Sequence, residues 1–408
     1  MLTRRSLMAS AAALAAGSIV PAVASNTLAP VINLLEELVG SGQLPFAGIR
    51  IARHSEILAQ AHVSGVETIG PESLYRVYSM TKPVVAAGAA LLVEDGQLTL
   101  ETPVADIVPE LAGLTVLTDT SGGTEPARPM TLAHLLTHTC GLANSWGNAR
   151  TAPLYRQAGL VAGAWMYDPD MGGLEGFAQR LGRLPLEHQP GTHWIYGYGL
   201  DIAGLVIERV SGERLGAFLR RRIFSPLGMS STGFYVPAEH SSRLTGLYTG
   251  ADGVVERVAA QQERLPLIEP YADGGSAGLI TSLEDYGRFA GMLANGGVAA
   301  GIRVMSEASA QMMMTPYGPQ EAITPALQRF GLGGEPRQAL GGVTWLEDHA
   351  GPGSAGEYAW GGAAGTAFWA TRSSGLSVVL MTQLMAPGGT VARERFKPLI
   401  YRALAELP

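Results

Sequence analysis

The residues best suited to chemistry in this sequence form one short stretch, Tyr78-Ser79-Met80-Thr81-Lys82-Pro83. Ser79 and Lys82 are three residues apart, so on a helix they share one face and the amine can reach the hydroxyl. Pro83 is tolerated only near a helix start, which places Ser79 at the N-terminal end of the apolar run from Val84 to Glu94. There the unpaired N–H groups and the helix dipole favour negative charge on a nucleophile or an oxyanion.

Lysine is almost absent from the chain, which sets Lys82 apart. Only Lys82 and Lys397 occur, and every other basic residue is arginine. Arginine stays protonated at any useful pH, whereas a desolvated lysine can act as a base. The S-x-x-K pattern therefore predicts a serine nucleophile with its base one helical turn away. A surface lysine on an ordinary helix is the alternative interpretation of the same four residues.

The composition is that of a globular protein with an acidic balance. The 408 residues are 47% hydrophobic and 15% charged, with a net charge of −7, which argues against a nucleic-acid partner. Cys140 is the only cysteine, which excludes an internal disulfide and a cysteine-based metal site. His134 and His138 have the spacing of a zinc pair, but the H-E-x-x-H frame and a third ligand are missing, so we expect no metal site.

Residues 1–24 are predicted to be an export signal. The pair Arg4-Arg5 precedes a short apolar region from Ala9 to Val20 and an A-x-A site that ends at Ala24. This pattern is typical of a twin-arginine signal, with a general secretory signal as the alternative. We expect a mature chain that starts near Ser25 and is periplasmic or secreted from a bacterium. We expect no stable membrane anchor in it, because no later apolar segment is long enough to cross a bilayer.

Apolar periodicity predicts strands near both ends of the chain and helices between them. The predicted hairpins pair 46–53 with 57–63 and 366–371 with 376–384. Helices are predicted at 28–42, 131–138, 174–181, 200–210, 215–223, 282–295 and 391–404, and an ordered loop at 111–129. The simplest architecture is α+β, with an antiparallel sheet built from both chain ends and flanked by helices. We assign 25–110 and 240–408 to this sheet domain, and 111–239 to a mainly helical inserted domain.

Several further stretches form a known set of motifs together with the Ser79 stretch. They are Glu94-Asp95-Gly96-Gln97-Leu98, Thr131–Leu142, Trp194-Ile195-Tyr196-Gly197-Tyr198, Gly274–Leu279 and Trp360–Thr366. In this order they resemble the serine β-lactamase and penicillin-binding-protein superfamily, in its class C-like branch, and most of all the family VIII carboxylesterases. The resemblance covers most of the chain after the signal and implies a β-lactamase/DD-peptidase-like fold.

The resemblance also implies a general base. In that family the tyrosine of a Tyr-x-Asn motif acts together with the lysine, and Tyr196 matches this tyrosine. A phenol has a reference pKa of about 10, so it needs a neighbouring cation for such a role, and the resemblance assigns that cation to Lys82. The position of the Asn is occupied by Tyr198, which the resemblance places in the substrate pocket.

The third motif of β-lactamases, Lys-Thr-Gly or His-Thr-Gly, is replaced by Trp360-Gly361-Gly362. The resemblance places these residues in the substrate pocket, where the lost cation argues for neutral acyl substrates. It further implies an oxyanion hole formed by the backbone N–H groups of Ser79 and Ala363. Cys140 stands where the family often has serine, and we interpret it as a small buried side chain, because an isolated buried thiol is usually inert.

A competing nucleophile is Ser276, because Gly274–Gly278 fits the G-x-S-x-G elbow of α/β-hydrolases. That elbow needs a buried strand before it and a helix after it. Instead a polar, proline-containing segment precedes the motif and an extended segment, Leu279-Ile280-Thr281, follows it. A glycine-rich turn at the pocket is therefore the favoured interpretation.

The motifs together predict an exported serine hydrolase that cleaves carboxylic esters, with short acyl chains favoured, through an acyl-enzyme on Ser79. Its partner would be a small-molecule ester, and no metal or cofactor is needed. A β-lactamase and a D-amino acid peptidase or amidase share this machinery and remain alternatives, as does acyl transfer to an alcohol. From another class, a penicillin-binding sensor module would be acylated without turnover.

Overall fold

The computed structural model of the protein describes residues 19–24, 26–118, 123–251, 254–385 and 394–406. Its strands are β1 (Ile19–Ala24), β2 (Ala47–Arg53), β3 (Glu56–Val63), β4 (Tyr75–Arg76), β5 (Thr115–Leu117), β6 (Thr124–Pro126), β7 (Tyr248–Ala251), β8 (Val254–Arg257), β9 (Ile280–Thr281), β10 (Val298–Ala299), β11 (Ile302–Arg303), β12 (Arg337–Gln338), β13 (Val343–Thr344), β14 (Glu357–Gly361), β15 (Ala367–Thr371) and β16 (Leu376–Met381). Its helices are α1 (Ala29–Gly40), α2 (Thr81–Glu94), α3 (Leu132–Leu136), α4 (Ala152–Gln157), α5 (Gly173–Leu181), α6 (Gly199–Ser211), α7 (Leu215–Leu219), α8 (Ser225–Leu227), α9 (Ala260–Glu263), α10 (Leu283–Ala294), α11 (Glu307–Met314), α12 (Gln320–Arg329) and α13 (Phe396–Ala405).

Both ends of the chain contribute to one antiparallel sheet of eight strands, in the order β1-β3-β2-β16-β15-β14-β13-β12. The two ends meet where β2 pairs with β16, with Gly48 opposite Met381 and Arg53 opposite Leu376. The predicted α+β class, with a sheet built from both chain ends, is confirmed. The domain boundaries at 110 and 240 stay a prediction.

The sheet is covered on both faces, which explains why all six residues of β16 are buried. On one face the ring of Phe368 contacts Tyr286 and Phe289 of α10, with centroids 5.2 and 6.4 Å apart. On the other face Glu357 of β14 meets α13. Because side chains alternate along a strand, Trp360 of β14 faces the same side as Phe368.

Helix α2 lies in the interior and begins with Thr81, Lys82 and Pro83, the last three residues of the Ser79 stretch. Every residue from Thr81 to Leu92 is buried, as expected of a helix that is apolar on all sides. Small side chains allow other helices to approach closely: a Cβ at Gly88 would lie 2.9 Å from a side-chain carbon of Leu219. A helix packed in this way gives the side chains at its N-terminal end a fixed position.

Most predicted elements are confirmed, with three differences. The predicted helix 215–223 is α7 followed by a π-helical turn, Arg220–Phe224. The last helix begins at Phe396, and 391–393 of its predicted range lie outside the described residues. The ordered loop at 111–129 is wrong in part, because β5 and β6 pair there, with Thr115 opposite Pro126; its residues 119–122 are not described. The content of threonine, glycine and proline suggested a loop, but the backbone hydrogen bonds between β5 and β6 make part of this segment a two-stranded sheet.

The predicted export signal is described only at its end. Residues 1–18 lie outside the described part, and Ile19–Ala24 form the edge strand β1, which pairs with β3. Export stays a prediction. Within the described ranges, no helix combines the length and the apolar character needed to span a bilayer.

The terminal helix is fixed to the sheet by a buried ion pair. Lys397 Nζ lies 2.5 Å from Glu357 Oε1, and the Tyr401 hydroxyl donates to Glu357 Oε2 at 2.5 Å. The Lys397 ammonium also lies 4.8 and 5.3 Å from the ring centroids of Trp345 and Trp369. Although burial alone would raise it, the pKa of Glu357 is held below its usual value by the Lys397 charge and by His349.

We therefore predict that Lys397→Met lowers the free energy of unfolding by about 3–5 kcal/mol, because it leaves the buried Glu357 carboxylate without the ammonium that balances its charge. Urea titration at pH 7 measures this change. A glutamate with a depressed pKa stabilises the fold above its unfolded pKa of about 4.3 and loses that contribution as the pH falls. The difference in the free energy of unfolding between Lys397→Met and the wild type should therefore become smaller as the pH falls.

The matched control is Arg395→Ala. Arg395 also tethers the start of α13, through a 3.1 Å contact with Glu37, but both side chains are largely exposed. Exposed pairs contribute at most about 1 kcal/mol. An equal loss of stability in Arg395→Ala and Lys397→Met would contradict the prediction that the buried Lys397–Glu357 pair contributes more than an exposed one.

Candidate active site

Ser79 lies in a single 3-10 turn, Tyr78–Met80, that runs directly into α2. Its predicted place at the N-terminal end of the helix is confirmed. Tyr78, the residue before it, has a φ of +44°, a left-handed conformation that bulky residues rarely adopt. Such strain persists where surrounding contacts fix the backbone, and here the Met80 carbonyl accepts a hydrogen bond from the Tyr286 hydroxyl at 2.8 Å.

Lys82 is buried one helical turn beyond Ser79, with 2% of its surface exposed. Its Nζ donates to Ser79 Oγ at 3.4 Å and to the Ser276 carbonyl at 2.7 Å. A charge buried in this way requires such acceptors, because the cost of removing it from water is large. The alternative of a surface lysine is therefore excluded.

Tyr196 reaches the same serine oxygen from the segment that precedes α6. Its Oη lies 2.6 Å from Ser79 Oγ, and Lys82 Nζ lies 4.5 Å from the centroid of its ring. Two oxygens at this distance share a hydrogen bond along which a proton can pass. The structure thus brings Ser79, Lys82 and Tyr196 together in an arrangement suited to nucleophilic catalysis.

The turn after β14 lies directly against the Ser79 element. A Cβ at Gly362 would lie 2.4 Å from the Val77 carbonyl oxygen, so only glycine allows this approach. The Gly362 N–H donates to the Thr366 carbonyl at 2.8 Å, whereas the Ala363 N–H makes no hydrogen bond with any described residue. Because Ala363 lines the same cavity as Ser79, this N–H can serve as an oxyanion donor.

A cavity of ≈ 270 Å³ opens at Ser79 and has mainly aromatic walls. Its lining includes Trp146, Tyr196, Phe330, Leu332, Trp360, Gly361, Gly362 and Ala363, together with Trp345, Trp369, Glu394 and Lys397. Three of the predicted pocket residues, Trp360, Gly361 and Gly362, thus lie in this wall. The rings of Trp360 and Phe330 are parallel within 6°, with centroids 6.3 Å apart.

Two aromatic residues of this wall escaped the sequence analysis. Trp146 and Phe330 are 52% and 43% exposed, and their ring centroids lie 6.0 and 5.0 Å from that of Tyr196. Neither belongs to a recognised motif, and their spacing from Ser79 along the chain carries no signal. Only the tertiary fold brings them to the mouth of the cavity.

The prediction that Tyr198 lines the substrate pocket is wrong. Its side chain is 3% exposed, and its hydroxyl donates to the Leu160 carbonyl at 2.5 Å and lies 2.9 Å from Ser145 Oγ, whose proton it can accept. Burial raises the pKa of Tyr198 to about 12. The backbone between positions 196 and 198 is irregular, so residues two apart do not share a face there, and Tyr198 packs into the helical region.

The two histidines of the possible zinc pair have separate partners. His134 Nδ1 accepts the Thr131 N–H at 3.2 Å and so caps α3. His138 is buried with its ring centroid 4.7 Å from that of Tyr196. Burial, and then the Lys82 charge, hold the pKa of His138 well below its usual value, so the ring is neutral at pH 7. Across the described ranges, no three His, Cys, Asp or Glu side chains form a group that could hold a metal ion.

Ser276 does not form an α/β-hydrolase elbow. Its carbonyl accepts from Lys82 and its N–H donates to Asp201 Oδ1 at 2.9 Å. The chain after it enters the short strand β9, which pairs with β4, and not a helix. The interpretation as a glycine-rich turn next to the active site is confirmed.

Cys140 is fully buried, as predicted for an inert thiol. Burial raises the pKa of Cys140 to about 12, so the thiolate is not formed at neutral pH. The sulfur lies close to the start of α6: a Cβ at Gly199 would lie 3.2 Å from Cys140 Sγ.

The placement of Tyr198 gives a prediction. Tyr198→Phe removes the donor to the Leu160 carbonyl and the acceptor of the Ser145 N–H and leaves both buried groups unpaired, so we expect a loss of about 1–3 kcal/mol in the free energy of unfolding. Urea titration measures the loss. The rate of ester hydrolysis per folded molecule should stay within a few fold of the wild-type rate. A large loss of this rate with no loss of stability would contradict this placement and indicate that Tyr198 acts in the substrate pocket.

Comparison with known proteins agrees with this geometry and with the resemblance seen in the motifs. The family model for Beta-lactamase matches residues 31–400. The chain is similar to Esterase EstB of Burkholderia gladioli, at 31% identity over 83% of this chain and 86% of that esterase. The solved structure of EstCE1, a hydrolase with promiscuous acyltransferase activity, has a TM-score of 0.78 at 24% identity and covers 93% of this chain and 98% of its own. A family VIII carboxylesterase structure has a TM-score of 0.68 at 20% identity and covers 95% of this chain and all of its own. The chain belongs to the beta-lactamase family.

Proposed function

We propose that the protein is a serine hydrolase that cleaves carboxylic esters through a covalent acyl-enzyme on Ser79. The observation that carries this proposal is the position of Ser79 Oγ, 2.6 Å from Tyr196 Oη and 3.4 Å from Lys82 Nζ at the wall of an aromatic cavity. A hydroxyl in contact with a proton acceptor and a cation at the wall of a cavity is the arrangement that nucleophilic catalysis needs.

The reaction proceeds in two halves. Tyr196 in its phenolate form, which the neighbouring Lys82 ammonium favours, takes the Ser79 proton on Oη while Oγ bonds to the ester carbonyl carbon, and the N–H groups of Ser79 and Ala363 stabilise the oxyanion. Collapse of this intermediate breaks the C–O bond, and the alcohol leaves with the proton from Tyr196. Water then attacks the acyl-enzyme and gives a proton to Tyr196, which returns it to Ser79 Oγ as the acid departs. Lys82 keeps its contacts with Ser79 and Tyr196 throughout.

The nature of the cavity supports neutral esters. Where related β-lactamases carry Lys or His, this chain has Trp360, and its neighbours Phe330, Tyr196 and Trp146 are aromatic. Aromatic walls favour apolar groups, whereas a penicillin-like carboxylate needs a cation. A cavity of ≈ 270 Å³ is small for a ligand site, which supports short acyl chains. Esterase EstB, a relative, is itself named for ester cleavage.

Acyl transfer to an alcohol is a second candidate. The apolar wall formed by Trp146, Phe330 and Trp360 can bind an alcohol in competition with water, and EstCE1 is described as having promiscuous acyltransferase activity. Export through a twin-arginine signal remains part of the proposal and rests on Arg4-Arg5, the apolar region and the A-x-A site.

The mechanism predicts covalent labelling of Ser79. A neutral fluorophosphonate should add one equivalent to the Ser79 peptide, as peptide mass spectrometry will show. Ser79→Ala should abolish the label, and Tyr196→Phe and Lys82→Ala should slow it by about 10²–10⁴-fold, because the first removes the proton acceptor and the second removes the cation beside it. Tyr198→Phe is the matched tyrosine control and should label at the wild-type rate. Label on Ser276, or none on folded protein, would contradict the proposal.

The cavity predicts a preference for neutral acyl groups. 4-Nitrophenyl butyrate should show a kcat/KM about 10–100-fold above that of 4-nitrophenyl hemisuccinate, because the Lys397 ammonium in the cavity wall is already paired with Glu357, so the carboxylate loses its water without gaining a cation. The Trp360→His variant should show a smaller ratio between the kcat/KM values for the butyrate and hemisuccinate esters. Continuous release of nitrophenol distinguishes an enzyme from a sensor module, which would stop after one equivalent.

A further inference from the structure

We propose that Asp201 is a positioning residue for Lys82: its buried carboxylate fixes the glycine-rich loop 274–278 so that the Ser276 carbonyl meets the Lys82 ammonium. The proposal deepens the proposed function and rests on it. It also gives a role to the G-x-S-x-G motif, whose serine acts through its backbone and not through its hydroxyl.

The two backbone groups of Ser276 connect the acid to the lysine. The Ser276 N–H donates to Asp201 Oδ1 at 2.9 Å, and the Ser276 carbonyl accepts from Lys82 Nζ at 2.7 Å. Asp201 is 1% exposed, and its second oxygen has no hydrogen-bond partner among the described residues. A carboxylate is costly to bury, and its hydrogen bond with the Ser276 N–H is directed at the residue that holds Lys82.

The glycines explain how the loop comes so close to α6. A Cβ at Gly275 would lie 1.9 Å from the Leu200 carbonyl oxygen and 3.1 Å from Asp201 Cα. No side chain fits there, so the loop rests directly on the first turn of α6. This contact brings the Ser276 N–H within reach of the short Asp201 side chain.

The ammonium has few other acceptors. Besides the Ser276 carbonyl, Lys82 Nζ is within hydrogen-bond distance only of Ser79 Oγ among the described residues, at 3.4 Å. Tyr196 presents its ring to the ammonium, and the neutral His138 has no hydrogen bond to it. Tyr198, at the position of the family's Asn, is turned away. The Ser276 carbonyl is therefore the short contact that sets the direction of the lysine side chain.

The test measures the rate and the extent of fluorophosphonate labelling at Ser79 separately. Asp201→Ala should lower the labelling rate and kcat by about 10²-fold, since a misplacement of about 1 Å can have this effect. It should leave KM and the one-equivalent endpoint unchanged. Asp201→Asn keeps an acceptor for the Ser276 N–H and should recover most of the rate. A purely structural role would instead lower the endpoint, because fewer molecules would be active.

The matched control is Asp285→Ala. Asp285 lies in α10 and is 3% exposed, and its carboxylate accepts a hydrogen bond from the Ser231 N–H at 2.7 Å. The Asp285→Ala variant should have a lower thermal stability than the wild type, but its labelling rate per folded molecule should equal the wild-type rate.

Four results would overturn the proposal: a wild-type rate in Asp201→Ala, a lower endpoint at an unchanged rate, equal slowing in Asp201→Asn, or failure of both variants to fold. In each of these the wild type still labels at Ser79, so the proposed function stands. Absence of label on Ser79 in the wild type would instead overturn the proposed function and this inference with it.

Discussion

The buried charge of Lys82 is the constraint around which this structure is organised. An ammonium with 2% of its surface exposed has lost its water, at a cost of several kcal/mol unless protein groups replace it. The replacements come from separate parts of the chain: Ser79 from the start of α2, the Tyr196 ring from the segment before α6, and the Ser276 carbonyl from the glycine-rich loop. Satisfying the charge therefore assembles the nucleophile and its proton acceptor in the same place.

The sheet supplies what the helices cannot, a rigid wall on the other side of the serine. Pairing of β2 with β16 joins the two chain ends, and β14 carries its terminal glycines up to Val77. The left-handed Tyr78 lies between that contact and the helix. Its conformation turns the chain sharply just before Ser79, which lines the same cavity as Ala363. Strain of this kind is maintained because both neighbours are rigid.

How well the role of a residue could be predicted from the sequence depends on how far apart in the chain its partners lie. Ser79 and Lys82 are related by helical periodicity alone, which is a local signal. Tyr196 was identified through its family motif, and the same motif failed for Tyr198, because packing against Leu160 decides its direction. Trp146 and Phe330 come from segments far apart in the chain and meet only in the folded state. No local pattern marks Asp201 either, since its partner is a backbone group 75 residues away.

The use of lysine in a chain that otherwise relies on arginine has a physical reason. Both lysines carry buried charges beside aromatic rings, Lys82 at Tyr196 and Lys397 between Trp345 and Trp369. An ammonium is compact and can direct its protons to acceptors on any side, whereas the planar guanidinium fork needs a wider, flat partner. The two sites border one cavity, because Trp345, Trp369 and Lys397 line it together with Ser79 and Trp360. Because the side chains of β14 alternate, this strand presents Trp360 to the catalytic cavity and Glu357 to Lys397, so one strand serves the reaction on one face and the terminal helix on the other.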